Sequence, residues 1–236
     1  MKIRHAHIAV VMFLGVIHAL CAGCGLKKTP SASVSTELLA AAWNGRIEFA
    51  ESLLQQGVDV NFRDQYDATP LIYAAYRNQP GVMAALLSHQ ADVAAQDQFG
   101  MTALMQAARY NAPLCVRLLL NANADIEARD KSQNTPLILA SFGENPMIIE
   151  LLLAHGANIN AQNSAGLTPL MMAAREGHAE VVRQLALAGA DIDLKTSDGK
   201  TALMIALEKG ASDIAEFLRI WGAAEPFAFG WRGGQN

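Results

Sequence analysis

The strongest constraint on the fold is a short motif that recurs at a fixed interval. A threonine is followed by proline or alanine and then leucine, and this triplet begins at positions 69, 102, 135, 168 and 201, always at the same step along the chain. The copies are Thr69-Pro70-Leu71, Thr102-Ala103-Leu104, Thr135-Pro136-Leu137, Thr168-Pro169-Leu170 and Thr201-Ala202-Leu203. One further step toward the N-terminus reaches Thr36-Glu37-Leu38, a degenerate sixth copy. Such a period is typical of stacked repeats, in which each unit buries its apolar face against its neighbours.

Each repeat begins with the pattern of a short helix. Threonine before proline favours a helix start, since the hydroxyl can cap free N–H groups and proline lacks a donor that would otherwise be unpaired. The first helix should end where glycine or asparagine tolerates a left-handed turn. These positions are Gly45, Asn78, Asn111, Gly177 and Gly210. In the fourth repeat Glu144 takes this place between Gly143 and Asn145, which predicts a shifted turn.

A second helix should follow each turn. It begins at Pro80, Pro113 and Pro146 in three repeats, again separated by the same step, and it carries a Leu-Leu pair in most copies. Its expected ends are Gly57, Asn123, Gly156, Gly189 and Gly222, with Gln90 as the exception.

Small residues, a Leu-Leu pair and an Ala-Asp-hydrophobe stretch accompany the copies, and together they resemble the ankyrin repeat. Residues 163–195 match it most closely, with Gly166-Leu167-Thr168-Pro169-Leu170 followed by Gly177-His178 and Gly189-Ala190-Asp191. The resemblance implies an all-α solenoid of about six helix-turn-helix repeats with short β-hairpin loops.

One departure from the family pattern recurs. The usual histidine two residues after the proline is replaced, so the hydrogen bonds that it makes between loops should be missing. The replacements are Ile72, Met105, Ile138, Met171 and Met204.

The repeats also define the domain boundaries. We expect a lipoprotein-type signal peptide at 1–24, a flexible tether at 25–35, a repeat domain at 36–228 and a tail at 229–236. Within the repeat domain, 36–63 is an N-terminal cap, 64–96, 97–129, 130–162 and 163–195 are internal repeats, and 196–228 is a C-terminal cap with a more polar outer face. The aromatic tail either folds back over the last helix pair or is free to bind.

The N-terminus has the composition of an export signal. Two basic residues precede an apolar run that is too short to span a bilayer permanently. Ala22-Gly23-Cys24 resembles the end of a bacterial lipobox, which implies lipidation of Cys24, and Gly25 after it resembles the signal for outer-membrane sorting. A soluble exported form and a retained N-terminal anchor are the alternatives.

Several classes of function are disfavoured by composition and motifs. The net charge of −4 provides no basic stripe for nucleic acid. No catalytic, phosphate-binding or cofactor motif is found, so we expect a non-enzymatic protein without cofactor or metal. Asp64, Asp97 and Asp130 begin successive hairpins, and each is predicted to bind its own turn backbone rather than a cation.

The expected function therefore lies on the surface, where the family binds protein partners through hairpin tips and the exposed ends of the first helices. Large aromatic and arginine side chains, which anchor protein interfaces, occupy these positions. We call Trp43, Tyr76, Arg109, Tyr110, Phe142 and Arg175 the binding ridge, and the wider candidate set adds Tyr66, Arg77, Phe99 and Met101. The alternative is that the rings only fill the interfaces between repeats.

These observations predict a monomeric, membrane-tethered, periplasmic module that binds a protein partner. Exported lipoproteins of this kind resemble immunity proteins that block secreted phospholipase effectors, and the partner could equally be a periplasmic enzyme that is stabilised. An envelope scaffold is the alternative function.

Overall fold

The computed structural model describes the backbone of residues 30–228 and the side chains of residues 34–222. This part of the chain forms twelve helices in six consecutive pairs. The first helices of the pairs are α1 (Pro30–Asn44), α3 (Pro70–Tyr76), α5 (Ala103–Arg109), α7 (Pro136–Ala140), α9 (Pro169–Glu176) and α11 (Ala202–Lys209). The second helices are α2 (Ile47–Gln55), α4 (Pro80–Ser88), α6 (Pro113–Asn121), α8 (Pro146–Ala154), α10 (Ala179–Leu187) and α12 (Ser212–Ala228). Each first helix contacts the next first helix, and each second helix contacts the next second helix, as a solenoid requires.

The threonine caps are present in all five regular repeats. Each hydroxyl accepts a hydrogen bond from the backbone N–H three residues later, at 3.2–3.4 Å. The degenerate sixth copy differs, because Thr36 lies inside α1, which begins at Pro30. The segment expected to be a flexible tether is therefore helical from residue 30 onward, with proline at the first helical position, where its missing N–H has no cost.

The predicted turn residues adopt the left-handed conformation. Gly45, Asn78, Asn111, Gly177 and Gly210 all have φ between 53° and 86°. Gln90 does the same with φ of 63°, although glutamine has no intrinsic preference for that region.

Two helix ends depart from the simple pattern. Helix α7 stops at Ala140, and bonds from Phe142 N to Leu139 O and from Gly143 N to Ala140 O form the shifted turn that the sequence predicts. The expected end at Gly222 is wrong, because α12 continues to Ala228.

The core runs through all six pairs as one continuous apolar cluster. Alanines at equivalent positions of the first helices, such as Ala74, Ala107 and Ala173, are fully buried and allow the helices to approach closely. Leu53, Leu86, Leu119 and Leu152 fill the space between first and second helices.

The loops are joined without the family's histidine. In four repeats its position holds a buried apolar side chain, and two small clusters form beneath the loops, around Met105 and around Ile138. Backbone bonds link successive loops, as from Gln98 N to Tyr66 O at 2.9 Å. The expected hairpins are tight turns, and in the described range the only bridge outside helices joins Gln96 to Thr102.

A row of long polar side chains replaces the missing histidine bonds. Arg63 Nη1 donates to Gln96 O, Gln96 Nε2 to Arg129 O, Arg129 Nη1 to Gln162 O, and Gln162 Nε2 to Lys195 O, at 2.8–3.3 Å. Each donor reaches the carbonyl at the equivalent position of the next repeat, so every loop is bound to the one that follows.

The last repeat exposes Asp213, Glu216 and Arg219 on its second helix, and it also exposes apolar side chains on its first helix. Met204 is 49% exposed, although its counterpart Met171 is 1% exposed beneath the following repeat. Leu207 is also exposed, where internal repeats have a buried alanine or serine.

Within the described range, no helix is long and apolar enough to be a membrane span.

Candidate protein-binding surface

The candidate surface is built at the C-terminal ends of the first helices. Equivalent places in five successive repeats are occupied by Trp43, Tyr76, Arg109, Phe142 and Arg175. Because the first helices stack side by side, their ends form a continuous row. The repeat period alone therefore brings together side chains that are far apart in sequence.

Aromatic rings contact one another across the first three repeats. The Trp43 and Tyr76 rings stack with centroids 5.5 Å apart and planes 19° apart. Tyr76 then meets Tyr110 edge-on with centroids 4.5 Å apart. Offset-stacked and edge-to-face geometries are the favoured arrangements of aromatic pairs.

Two arginines extend this row of rings. The guanidinium carbon of Arg77 lies 4.7 Å from the centroid of the Trp43 ring. That of Arg109 lies 5.7 Å from the Tyr110 centroid and 5.2 Å from the Phe142 centroid. These are distances at which a cation is attracted to the face of a ring. We name this group the ring–arginine cluster; its members are Trp43, Tyr76, Arg77, Arg109, Tyr110 and Phe142.

The cluster spans the interfaces between repeats and is also accessible to solvent. Tyr110 is 44% exposed and Phe142 is 39% exposed, while Trp43 and Tyr76 are half-buried. The rings do fill the interfaces between repeats, as the alternative interpretation expected, but they leave substantial aromatic area uncovered. Both descriptions therefore apply to the same residues.

Arg175 does not join the cluster. Its Nε donates to Glu176 Oε1 at 2.9 Å, and its guanidinium also contacts the sulfur of Met172. The neighbouring backbone is held separately, because His178 Nε2 donates to the carbonyl of Phe142 at 3.0 Å. The continuous part of the predicted binding ridge thus ends at Phe142.

The candidate residues on the hairpins differ in their exposure to solvent. Phe99 is 60% exposed at the tip of its loop, and Tyr66 is half-buried at the equivalent place. Met101, however, is buried against Met105 and Leu139. Including Met101 in the surface set was wrong, because without the family's histidine this space is filled by apolar side chains.

The aspartates that begin the hairpins act within their own turns, as predicted. Asp97 Oδ1 accepts from Phe99 N at 2.8 Å and from Met101 N at 3.0 Å, and Asp64 and Asp130 do the same in their loops. Among the described side chains, no group of three or more His, Cys, Asp or Glu is arranged to hold a metal ion.

Burial raises the pKa of three groups near the hairpins and the ring–arginine cluster. Desolvation raises the pKa of Tyr73, and the hydrogen bond that its hydroxyl donates to Asp64 adds to the effect. Desolvation likewise raises the pKa of Asp97 above its ordinary value, against the opposing effect of its backbone hydrogen bonds. The pKa of Tyr76 is raised by burial and by the neighbouring Tyr110.

Comparison with known proteins agrees with the paired helices and the constant period. A family model described as ankyrin repeats (3 copies) matches residues 7–97, 38–130, 90–163 and 137–225. The chain belongs to the ankyrin-repeat family. Comparison with curated proteins gave no match. Ankyrin repeats are protein-interaction modules, so the accessible side chains of this array are the place where its function is to be sought.

Sequence reasoning missed the polar row that binds the loops of this ankyrin-repeat array. Arg63, Gln96, Arg129 and Gln162 were not selected as a set, although their spacing by exactly one repeat period could have indicated it. It also did not predict that Arg77 would pack on Trp43, because these residues occupy different positions of their repeats.

Proposed function

We propose that this ankyrin-repeat protein captures a protein partner through the ring–arginine cluster. The observation that carries the proposal is the unbroken sequence of contacts from Arg77 through Trp43, Tyr76, Tyr110 and Arg109 to Phe142. Aromatic and arginine side chains dominate the binding energy of protein interfaces when a partner removes them from water. Rings already held by their neighbours lose little side-chain entropy on binding.

The test compares two double variants in affinity capture from detergent-solubilised cell envelopes, followed by mass spectrometry. Arg109→Ala with Tyr110→Ala removes the centre of the cluster. Leu114→Ala with Arg117→Ala removes a large apolar and a basic side chain from exposed positions of α6 in the same repeat. We expect one abundant partner with the wild type and the α6 variant, and its loss with the cluster variant.

Retention of that partner by the cluster variant would contradict the proposal. Many weak partners, all unaffected by either variant, would instead favour an envelope scaffold. Circular dichroism of each variant establishes that it is folded, so that loss of capture is not a consequence of unfolding.

We further propose that the module acts as a monomer in the periplasm, tethered to the outer membrane by a lipid on Cys24. This rests on the sequence of residues 1–24, which lie outside the described range. A diacylated and N-acylated cysteine supplies enough buried methylene groups for stable anchoring. Labelled palmitate should be incorporated into the wild type and not into Cys24→Ser, and fractionation should find that variant outside the membrane.

The finer role that we propose is neutralisation of a secreted effector, such as a phospholipase, by an array that covers its active site. The alternative is stabilisation of a periplasmic enzyme. Activity assays of the captured partner distinguish inhibition from stabilisation. If adding the purified protein abolishes the partner's activity, it is an inhibitor, and if the partner's activity lasts longer at elevated temperature, it is a stabiliser.

A further inference from the structure

The two arginines of the ring–arginine cluster have no polar partner among the described residues. Arg63 and Arg129 donate to loop carbonyls, and Arg175 and Arg183 pair with glutamates. Within residues 34–222, the guanidinium groups of Arg77 and Arg109 make neither an ion pair nor a hydrogen bond. Their N–H donors are therefore available to a ligand.

The rings hold these two guanidinium groups in place before any ligand arrives. Arg77 lies over Trp43, and Arg109 lies between Tyr110 and Phe142. An arginine whose face rests on a ring still directs N–H donors outward from the edge of its plane. An unattached surface arginine must give up rotamer freedom to bind, whereas one held by rings has already lost part of it.

The positive charge of the cluster is local. The protein as a whole is acidic, with a net charge of −4, yet the six residues of the cluster include two cations and no carboxylate. Farther along the same row, the carboxylates of Glu176 and Glu208 are paired with Arg175 and Lys200. Since charges are screened over about 8 Å at physiological ionic strength, a ligand at the cluster experiences mainly its two arginines, together with the exposed Glu144 at the Phe142 end.

We infer that the partner presents an acidic, extended peptide segment to Arg77 and Arg109, an inference that rests on the proposed function. Carboxylates match the planar guanidinium edge and accept two parallel N–H bonds from it. Arg77 contacts Trp43 of the first repeat and Arg109 contacts Phe142 of the fourth, with Tyr76 and Tyr110 in the series of ring contacts between them. The segment should therefore carry two Asp or Glu residues that are separated by apolar side chains, and these apolar side chains should lie against Tyr76 and Tyr110.

Selection of random peptides tests this inference without knowledge of the natural partner. A library of phage-displayed dodecapeptides is selected on the purified full-length protein, and the bound sequences are compared with the unselected library. We expect enrichment of Asp and Glu, with two acidic positions separated by apolar residues. Enrichment of neutral or basic peptides would overturn the inference.

Binding measurements with one selected peptide then test the arginines. Arg77→Gln with Arg109→Gln should weaken binding about tenfold or more, the effect of losing charge-assisted hydrogen bonds. Arg117→Gln with Arg219→Gln makes the same change of charge at two exposed positions on α6 and α12, and it should leave the affinity nearly unchanged. A version of the peptide with Gln and Asn in place of its acids should bind the wild type as weakly as the acidic peptide binds the cluster variant.

The remaining outcomes separate this inference from the proposed function. If substitution of Tyr110 and Phe142 weakens peptide binding but substitution of the arginines does not, the proposed binding surface is supported and the inference of an acidic partner is wrong. If no selected peptide depends on any residue of the cluster, the proposed function fails as well.

Vesicles of phosphatidylglycerol serve as a separate probe. Binding of these vesicles through Arg77 and Arg109, without binding of acidic peptides, would overturn the inference in favour of a lipid headgroup.

Discussion

The guanidinium carbon of Arg109 lies 5.2 Å from the centre of the Phe142 ring, across the interface between two adjacent ankyrin repeats. This pair joins the end of α5 to the turn that follows α7. The contact contributes to packing between repeats, and both side chains remain partly accessible to a partner.

The first prediction is that Arg109→Ala has a small effect on stability. Arg109 makes no ion pair within residues 34–222. It contacts two rings, and since each such contact is worth about 0.5–1 kcal/mol, the two together contribute about 1–2 kcal/mol. We expect urea unfolding to show a loss of about that size. A loss several times larger would show that Arg109 is mainly a structural residue, and capture experiments with its variants could not then be interpreted as binding.

The second prediction concerns the position left apolar by the missing histidine. Met171→Ala should cost about 2–4 kcal/mol, because this side chain is buried between repeats and its removal leaves a cavity. Met204→Ala, at the same place in the last repeat, should cost less than about 1 kcal/mol, because the side chain is half exposed within the described range and its removal leaves no closed cavity. If urea unfolding showed equal losses of stability for the two variants, Met204 would have to be as well packed as Met171, and the prediction would be wrong.

The third prediction is that Gln90→Gly stabilises the protein. Gln90 ends the second helix of its repeat with φ of 63°, where Gly57, Gly156 and Gly189 serve in other repeats. The side chain is exposed, so little packing is lost, and glycine avoids the steric cost of the left-handed region. We expect a gain of about 0.5–1 kcal/mol in the free energy of unfolding. Gln90→Ala is the matched control, since alanine shares the same steric cost and should give no gain.

The fourth prediction uses the raised pKa of Asp97. Burial makes the folded state hold the proton of this carboxyl more tightly than the unfolded state does, so the contribution of Asp97 to stability falls as pH rises above its ordinary pKa of 3.8. Asp97→Asn keeps an acceptor for the turn amides, as Asn163 does in a later repeat, and removes the buried charge. The stability of Asp97→Asn relative to the wild type should therefore increase from about pH 3.5 to about pH 7. A raised pKa corresponds to about 1.4 kcal/mol per pH unit, and partial exposure of this site to solvent reduces that figure to about 1 kcal/mol.

Urea unfolding at several pH values measures this difference. Asp97→Ala is the control, because it also removes the titrating carboxyl and should show the same rise in relative stability with pH, offset downward by about 1–2 kcal/mol for the lost acceptor. A relative stability of Asp97→Asn that falls with pH would contradict the direction of the pKa shift.

Much of the local structure followed from the sequence. The caps at Thr69 and its equivalents, the left-handed turns at Asn78 and Gly177, and the aspartate-bound hairpins all depend on contacts within a few residues. The period then determined the fold, because similar units at a constant spacing can bury their apolar faces only by stacking on one another.

The tertiary structure decided what the period does not encode. Whether a side chain is covered depends on the volume left by the neighbouring repeat, so Met101 is buried while Phe99, two residues earlier, is exposed. Contacts between different positions of adjacent repeats, such as Arg77 on Trp43, depend on side-chain direction. The repeat period is enough to predict a stack of helix pairs with aromatic and basic residues at the ends of several first helices. The packing of one repeat on the next then selects which of these residues form a single accessible cluster, because this depends on side-chain direction and on the space between repeats.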